Sequence, residues 1–198
     1  MSHFINELRK LTIDLKELSI DWALVGGLAY SIYAEPRTTK DIDLVLSLTD
    51  ESQLEYLVNE LLSRGYLNKQ ILMHMSPAHR LGVRVSLMSQ KNVAIPIDLL
   101  TATCGVEKEI IVASKNIEIL PSIFMPVASL SHILAMKILA QDDSERIRDK
   151  ADAIALIAAA SSENIEETKK ALILITERGF NRGKDLISDF NKLLKRRH

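Results

Sequence analysis

The chain has 198 residues, of which 47% are hydrophobic and 26% charged, and 25 basic residues nearly cancel 26 acidic ones. This balance is typical of a globular protein and argues against disordered or collagen-like chains. No apolar run approaches the ~20 residues of a membrane span, and the first residues lack the layout of a secretory signal. The single cysteine, Cys104, excludes an internal disulfide and is expected to be buried. We therefore expect a cytoplasmic protein without a membrane association.

The N-terminal part of the chain alternates between helical and strand-like patterns. Hydrophobic spacing and glycines predict, in chain order, a helix over 5–18, a strand over 22–25, a short helix over 28–33, a strand over 41–47 and a helix over 54–65. Three strand-like runs follow, around Ile71, over 83–87 and over 93–100. The apolar runs 109–112 and 117–120 flank Lys115-Asn116 and predict a hairpin.

After Pro121 and Pro126 the pattern becomes helical. Helices are expected over 129–141, 144–160, 164–178 and 182–195, and Asn164 with Glu167 fits a capping box. The sequence thus predicts an α/β domain over residues 1–120 and a C-terminal helical domain over residues 121–198.

Two aspartates interrupt the apolar strand predicted over 41–47. Because strand side chains alternate between faces, Asp41 and Asp43 share one face. Neighbouring carboxylates repel each other unless a cation compensates, and a hard divalent ion such as Mg²⁺ prefers carboxylate oxygens. The alternative, commoner for an isolated Asp-x-Asp, is a pair of solvated aspartates at a strand edge.

Asp98 is another isolated charge within an apolar run. If its strand lies beside the first, Asp98 can project onto the face that carries Asp41 and Asp43. Three carboxylates can hold two metal ions, of which one activates a hydroxyl and the other holds the phosphates of a nucleotide. Taken alone, Asp98 is more simply a strand-end aspartate; in combination with the other motifs it indicates a metal ligand.

Gly26 and Gly27 end a predicted strand and open a helix. Backbone N–H groups at such a turn can meet a phosphate, and glycine allows close approach of the backbone to a ligand. A Gly-Gly pair by itself is usually only a turn.

In this order, the motifs resemble the DNA polymerase β-type nucleotidyltransferase superfamily. The residues that carry the resemblance are Gly26, Gly27, Arg37, Thr38, Asp41, Asp43 and Asp98. Thirteen residues separate Gly27 from Asp41, within the usual spacing of the superfamily. The segment is most similar to small prokaryotic AbiEii-like (abortive-infection toxin) nucleotidyltransferases, in which Arg-Thr commonly precedes Asp-x-Asp. The resemblance implies a mixed sheet with flanking helices.

A second match lies in the predicted C-terminal helices. The helix that carries Lys137, followed by Arg146-x-Arg148-Asp149-x-x-Asp152, is similar to the Lys-helix and Arg-x-Lys-Asp-x-x-Asp of that group. Arg148 stands where the group more often has lysine. Lys137 lies on an apolar helix stripe, so it either extends to the surface or enters the cleft; the resemblance implies contact with a phosphate. Arg148 and Asp152, one turn apart, could form a simple surface ion pair.

Other candidates have weaker signals. His74, His79 and His132 lack metal-ligand spacing. Arg80 and Arg84, near the strands that follow the metal face, could reach a nucleotide or an acceptor, although solvated loop positions are the simpler interpretation.

The resemblance implies transfer of a nucleoside monophosphate from an NTP to an acceptor hydroxyl, with Mg²⁺ or Mn²⁺ as cofactor. Asp41 and Asp43 would bind both metal ions, and Asp98 would complete the catalytic metal site and help to deprotonate the acceptor. Gly26 and Gly27 would hold the triphosphate. The phosphates or the active-site loop would be supported by Arg37, Thr38 and Lys137.

The acceptor stays open among tRNA or other RNA, protein hydroxyls and small molecules. A cognate antitoxin or toxin is a further expected partner. The competing hypothesis is a non-catalytic protein that binds a nucleotide or a partner on the same fold, since fold does not determine function.

Overall fold

The structure is a computed structural model that describes residues 2–48, 50–73, 80–88, 94–141 and 147–196. Within these ranges the chain forms a mixed α/β fold around one sheet. The strands are β1 (Trp22–Val25), β2 (Ile42–Leu46), β3 (Tyr66–Met73), β4 (Arg80–Met88), β5 (Ala94–Leu100), β6 (Lys115–Leu120) and β7 (Ile123–Val127). The helices are α1 (Ser2–Glu17), α2 (Gly26–Tyr33), α3 (Glu51–Ser63), α4 (Glu107–Val112), α5 (Leu130–Ala140), α6 (Ile147–Ala159), α7 (Ser162–Glu177) and α8 (Leu186–Leu194).

The strand order of the sheet is β3-β4-β5-β2-β1-β7-β6. β1 is antiparallel to β2 and parallel to β7, β2 is parallel to β5, and the remaining neighbours are antiparallel. In this register Asp43 of β2 lies directly beside Asp98 of β5, and Arg84 of β4 lies directly opposite Asp98. Directly paired residues point to the same face of a sheet, so the topology gathers these three side chains.

The predicted N-terminal elements are confirmed. In α1, Leu8, Leu11 and Leu15 are fully buried because their helical spacing places them on one face. β1 is buried along its whole length, as its uninterrupted apolar run and central position in the sheet require.

The four C-terminal helices are also confirmed, and they share one core with the sheet. α5 is apolar over most of its surface because it packs against α2, α6, α7 and α8 at once. Its Leu134 and Ile138 belong to the same buried cluster as Leu24 of β1 and Phe190 of α8. β7, which follows residue 120, completes the sheet beside β1. The division into two domains at residue 120 stays a prediction.

The predicted hairpin of 109–112 with 117–120 is wrong, because the first run is part of helix α4. Val106 and Ile110, four residues apart, are buried on one face, whereas Val112 is 86% exposed. That one-sided burial at helical spacing outweighs the strand propensity of the Ile-Ile-Val run. The hairpin of this region instead joins β6 to β7, with Ser122 at a positive φ of 62° in the turn.

The capping box at the start of α7 involves a different pair from the one expected. Ser161 is the N-cap, its hydroxyl accepts from the backbone N–H of Asn164, and the Asn164 side chain accepts from the backbone N–H of Ser161. Glu167 lies one turn further on and accepts a hydrogen bond from Ser131 of α5. The helix therefore begins earlier than the predicted residue 164, and Glu167 links two helices.

Candidate active site

Three carboxylates converge on one face of the sheet. One carboxylate oxygen from each of Asp41, Asp43 and Asp98 lies within 4.8 Å of the other two. Asp41 immediately precedes β2, Asp43 lies within it, and the parallel pairing of β2 with β5 sets Asp98 beside Asp43. The structure thus brings together the three residues that the sequence suggested as metal ligands, in an arrangement that could hold a divalent ion.

The electrostatics of this group, the carboxylate triad, are unfavourable for three full negative charges. Burial, and then the charges of Asp41 and Asp98, raise the pKa of Asp43 to about 7. The positive charge of Lys137 and a hydrogen bond from the backbone N–H of Gly27 act in the opposite direction. Asp43 is therefore partly protonated at neutral pH, and a bound cation would favour its ionised form.

Arg84 of β4 is the nearest cation to the triad among the described residues. Its Nε donates to Asp98 Oδ1 at 2.5 Å and its Nη2 donates to Asp98 Oδ2 at 2.7 Å, which is a bidentate pair. The same Nη2 lies 3.8 Å from Asp41 Oδ2. The hydrogen bonds to Asp98 raise the pKa of Arg84 above its ordinary value. The interpretation of Arg84 as a solvated loop residue is wrong; its signal was an arginine inside the apolar strand-like run 83–87.

The two glycines pack tightly against the carboxylates and the preceding loop. Gly26 has a φ of +63°, and a Cβ there would lie 1.9 Å from Asp43 Oδ2. A Cβ on Gly27 would lie 2.9 Å from Thr39 Oγ1. Only glycine satisfies both the backbone conformation and the contact at Gly26. Contact of these glycines with a phosphate stays a prediction.

Thr39, which no motif of the sequence indicated, contacts the triad. Thr39 Oγ1 donates to Asp41 Oδ1 at 3.0 Å, and its side chain faces Gly27. Thr38, which is predicted to support the phosphates or the active-site loop, is exposed in the same loop. The available signal was spacing: a threonine two residues before an aspartate readily forms such a local hydrogen bond.

A second cluster of charges joins the loop before β2 to the C-terminal helices. Asp152 of α6, only 4% exposed, accepts from Arg37 Nε at 3.2 Å and from Arg37 Nη2 at 2.9 Å. Lys137 of α5 lies 2.8 Å from Asp152 Oδ2 and 2.7 Å from Asp149 Oδ1. The Arg37 guanidinium also lies 5.4 Å from the centre of the Tyr30 ring. We call Arg37, Lys137, Asp149 and Asp152 the charge cluster.

The charge cluster decides between alternatives that the sequence left open for Lys137 and Asp152. Lys137 is 9% exposed and does not extend to the surface, because its ammonium is held between two carboxylates. Asp152 does not form a surface pair with Arg148, which is exposed; its partners are Arg37 and Lys137. Burial acts to raise the pKa of Asp152, but hydrogen bonds from Lys137 and Arg37 hold it below its ordinary value. Asp152 is thus ionised at neutral pH.

The remaining candidates lie apart from this chemistry or outside the described residues. His74, His79 and Arg146 fall outside the described residues. His132 contacts Ser129 Oγ through Nδ1 at 2.9 Å, and burial lowers its pKa. Cys104 is buried as expected, and burial together with Glu107 raises the pKa of its thiol to about 12, which makes it a poor nucleophile. Within the described part of the chain, no helix combines the length and hydrophobicity needed to cross a membrane.

Comparison with known families identifies the chain. The sequence profile of the family described as nucleotidyl transferase AbiEii toxin, type IV toxin–antitoxin system, matches residues 10–196. The chain belongs to this family. It is therefore a nucleotidyltransferase, as the Gly-Gly, Asp-x-Asp and Asp98 pattern implied. No curated protein sequence gives a significant match.

Solved structures are similar to this chain at low sequence identity. An antigenic nucleotidyltransferase-like protein from Paracoccidioides brasiliensis is 18% identical over 98% of this chain and 93% of its own, with a TM-score of 0.59. JHP933 from Helicobacter pylori is 15% identical over 97% of this chain and 88% of its own, with a TM-score of 0.48. The lincosamide antibiotic adenylyltransferase LnuA is 14% identical over 78% of this chain and 97% of its own, with a TM-score of 0.47. The first comparison shows the nucleotidyltransferase fold.

Proposed function

We propose that this nucleotidyltransferase transfers a nucleoside monophosphate from an NTP to an acceptor hydroxyl, and that Asp41, Asp43 and Asp98 bind the divalent ions of the reaction. The observation that carries the proposal is the convergence of three carboxylates within 4.8 Å in a member of this family. The donor set fits Mg²⁺ or Mn²⁺, because it consists of hard carboxylate oxygens only.

Bound divalent ions would neutralise phosphate charge and favour ionisation of the acceptor hydroxyl. Asp41 and Asp43 would each bind both ions, while Asp98 would complete the site on the acceptor side and help to remove the proton of the hydroxyl. The acceptor oxygen forms a bond to the α-phosphorus as the bond from that phosphorus to the pyrophosphate oxygen breaks. The electron pair of the broken bond leaves with pyrophosphate.

The surrounding residues would position the triphosphate. Gly26 and Gly27 allow the close backbone approach that a phosphate needs, and the Lys137 ammonium is near enough to influence Asp43. Arg37 ties the loop before β2 to α6, which supports a role in holding that loop rather than a free phosphate contact. Thr38, exposed in the loop, is available to a phosphate.

We further propose that the protein acts as a toxin whose activity a cognate antitoxin counteracts. The type IV toxin–antitoxin description of the family supports this role. Acceptors of three classes remain to be compared: tRNA and other RNA, protein hydroxyls and small molecules.

The decisive experiment incubates the protein with each α-³²P-labelled NTP, Mg²⁺ and separate pools of tRNA, cell protein and small metabolites. Label in one pool establishes transfer and identifies the acceptor class. Asp98→Asn should lose transfer, whereas Asp189→Asn, a matched change at a surface residue of α8 that pairs with Lys192, should keep it. A wild-type protein that binds NTP with Mg²⁺ but labels no pool would support the non-catalytic alternative.

A further inference from the structure

Arg84 occupies both oxygens of one of the proposed metal ligands. Its guanidinium donates to Asp98 Oδ1 at 2.5 Å and to Asp98 Oδ2 at 2.7 Å, and it lies 3.8 Å from Asp41. We propose that Arg84 is a positioning residue that serves as a built-in counter-ion, competing with the divalent ion for Asp98 and keeping the affinity for free metal low. The inference rests on the proposed function, because it takes the carboxylate triad as the metal site.

Two other cations near the triad, Lys137 and Arg37, are balanced by carboxylates outside it. Lys137 is held by Asp149 and Asp152, and Arg37 is held by Asp152. Arg84 differs because the carboxylates that balance its charge are Asp98 and Asp41 themselves. Its positive charge therefore acts directly on any cation that these carboxylates bind.

The chemistry of the guanidinium makes this competition effective. Arginine stays protonated at all physiological pH values, and its planar fork matches the geometry of a carboxylate. A fixed positive charge within 4 Å of the ligand atoms repels a divalent cation, and its effect on affinity is large at short range. Removal of that charge should therefore strengthen metal binding, by about tenfold or more.

Partial exposure allows Arg84 to change partners. Its side chain is 35% exposed, so it can turn from Asp98 toward a phosphate without becoming a buried, unpaired charge. A nucleotide supplies phosphate oxygens, which are good bidentate acceptors for a guanidinium. Arg84 would then release Asp98 when a nucleotide with its own metal ion enters, and free metal ion alone would bind weakly.

The test measures Mn²⁺ binding directly, by electron paramagnetic resonance and calorimetry at pH 8, without nucleotide. Wild type should bind weakly, and Arg84→Gln should bind about tenfold more tightly. Arg84→Lys, which keeps the charge but loses the bidentate fork, should bind with an affinity between those of wild type and Arg84→Gln. Arg9→Gln, a matched loss of an exposed arginine on α1, should leave the affinity unchanged. Arg84→Met provides a second neutral variant if Arg84→Gln does not fold.

The outcomes separate this inference from the metal site itself. The gain from Arg84→Gln should disappear when Asp98→Asn is added, because the competition is for that carboxylate. If wild type binds Mn²⁺ through Asp43, as shown by loss of binding in Asp43→Asn, but Arg84→Gln binds no tighter, the inference about Arg84 is wrong and the metal site stands. If no variant binds Mn²⁺, or if Asp43→Asn binds as wild type does, both proposals fail.

Discussion

The raised pKa of Asp43 makes the stability of this protein depend on pH in a specific direction. Burial, followed by the charges of Asp41 and Asp98, raises that pKa from 3.8 to about 7. Between these two values the folded state holds a proton that the unfolded state has released. The contribution of the Asp43 carboxyl to the unfolding free energy is therefore at its maximum below about pH 4 and is lost as the pH rises through 7. The reason is that the folded state binds more protons than the unfolded state between these two pH values.

The expected magnitude follows from the difference between the two pKa values. A difference of about 3, at about 1.4 kcal/mol for each pKa unit, corresponds to about 4 kcal/mol. Asparagine has nearly the same size and cannot ionise, so Asp43→Asn should lose this pH dependence. The range from pH 4.5 to pH 8 covers most of this difference, so we expect the unfolding free energy of Asp43→Asn, relative to wild type, to increase by about 3 kcal/mol across it in EDTA.

Urea unfolding followed by circular dichroism across this pH range measures the effect, with Asp189→Asn as the matched control. At pH 8, Mg²⁺ at ten times its Kd should stabilise wild type by about 1.4 kcal/mol and should leave Asp43→Asn almost unchanged. Parallel pH profiles of wild type and Asp43→Asn would refute the electrostatic reasoning. Equal stabilisation of both proteins by Mg²⁺ would refute the assignment of Asp43 as a metal ligand.

Three further predictions concern other parts of the site. Asp98→Asn should change the affinity for NTP with Mg²⁺ by less than about tenfold but lower transfer at least about a hundredfold, because it removes a transition-state role. Equilibrium binding measures the affinity and single-turnover kinetics measure transfer; a variant that transfers as fast as wild type would contradict this prediction. Arg37→Ala should lower the unfolding free energy by about 1–3 kcal/mol in urea titrations, because it leaves the buried carboxylate of Asp152 with one partner fewer. Arg37→Lys should recover part of that loss. An unchanged urea midpoint in both variants would contradict this structural role of Arg37. Gly26→Ala places a Cβ 1.9 Å from Asp43 Oδ2 and should abolish the stabilisation by Mg²⁺ in thermal melts. The control Gly179→Ala lies at a similar positive φ with nothing within 4 Å of its Cβ. It should lower the unfolding free energy by only about 1 kcal/mol and should keep the stabilisation by Mg²⁺.

Most of the secondary structure was predictable because its pattern is local. The leucines of α1 recur at helical spacing, and the apolar run of β1 is too short for a helix and ends at Gly26. Residues 107–112 were the exception, since Ile110, Ile111 and Val112 favour a strand by propensity. The burial of Ile110 on one side only is a property of the packed protein, which local propensity does not contain.

The sequence by itself identified the three carboxylates that the structure brings together. Alternation along one strand was sufficient to place Asp41 and Asp43 on a common face, and an isolated charge in an apolar run identified Asp98. Only the tertiary structure decided what surrounds them. The position of Arg84 opposite Asp98 depends on the pairing of β4 with β5.

The link between Arg37 and Asp152 likewise crosses 115 residues of sequence and depends on how α6 packs against α2 and α5. Periodicity and short motifs report the conformation of neighbouring residues, and they contain no information on which strands pair or where a helix docks. The three carboxylates of this site were therefore predictable from the sequence, whereas the pairing of Asp98 with Arg84 and of Asp152 with Arg37 was decided by the topology of the folded chain.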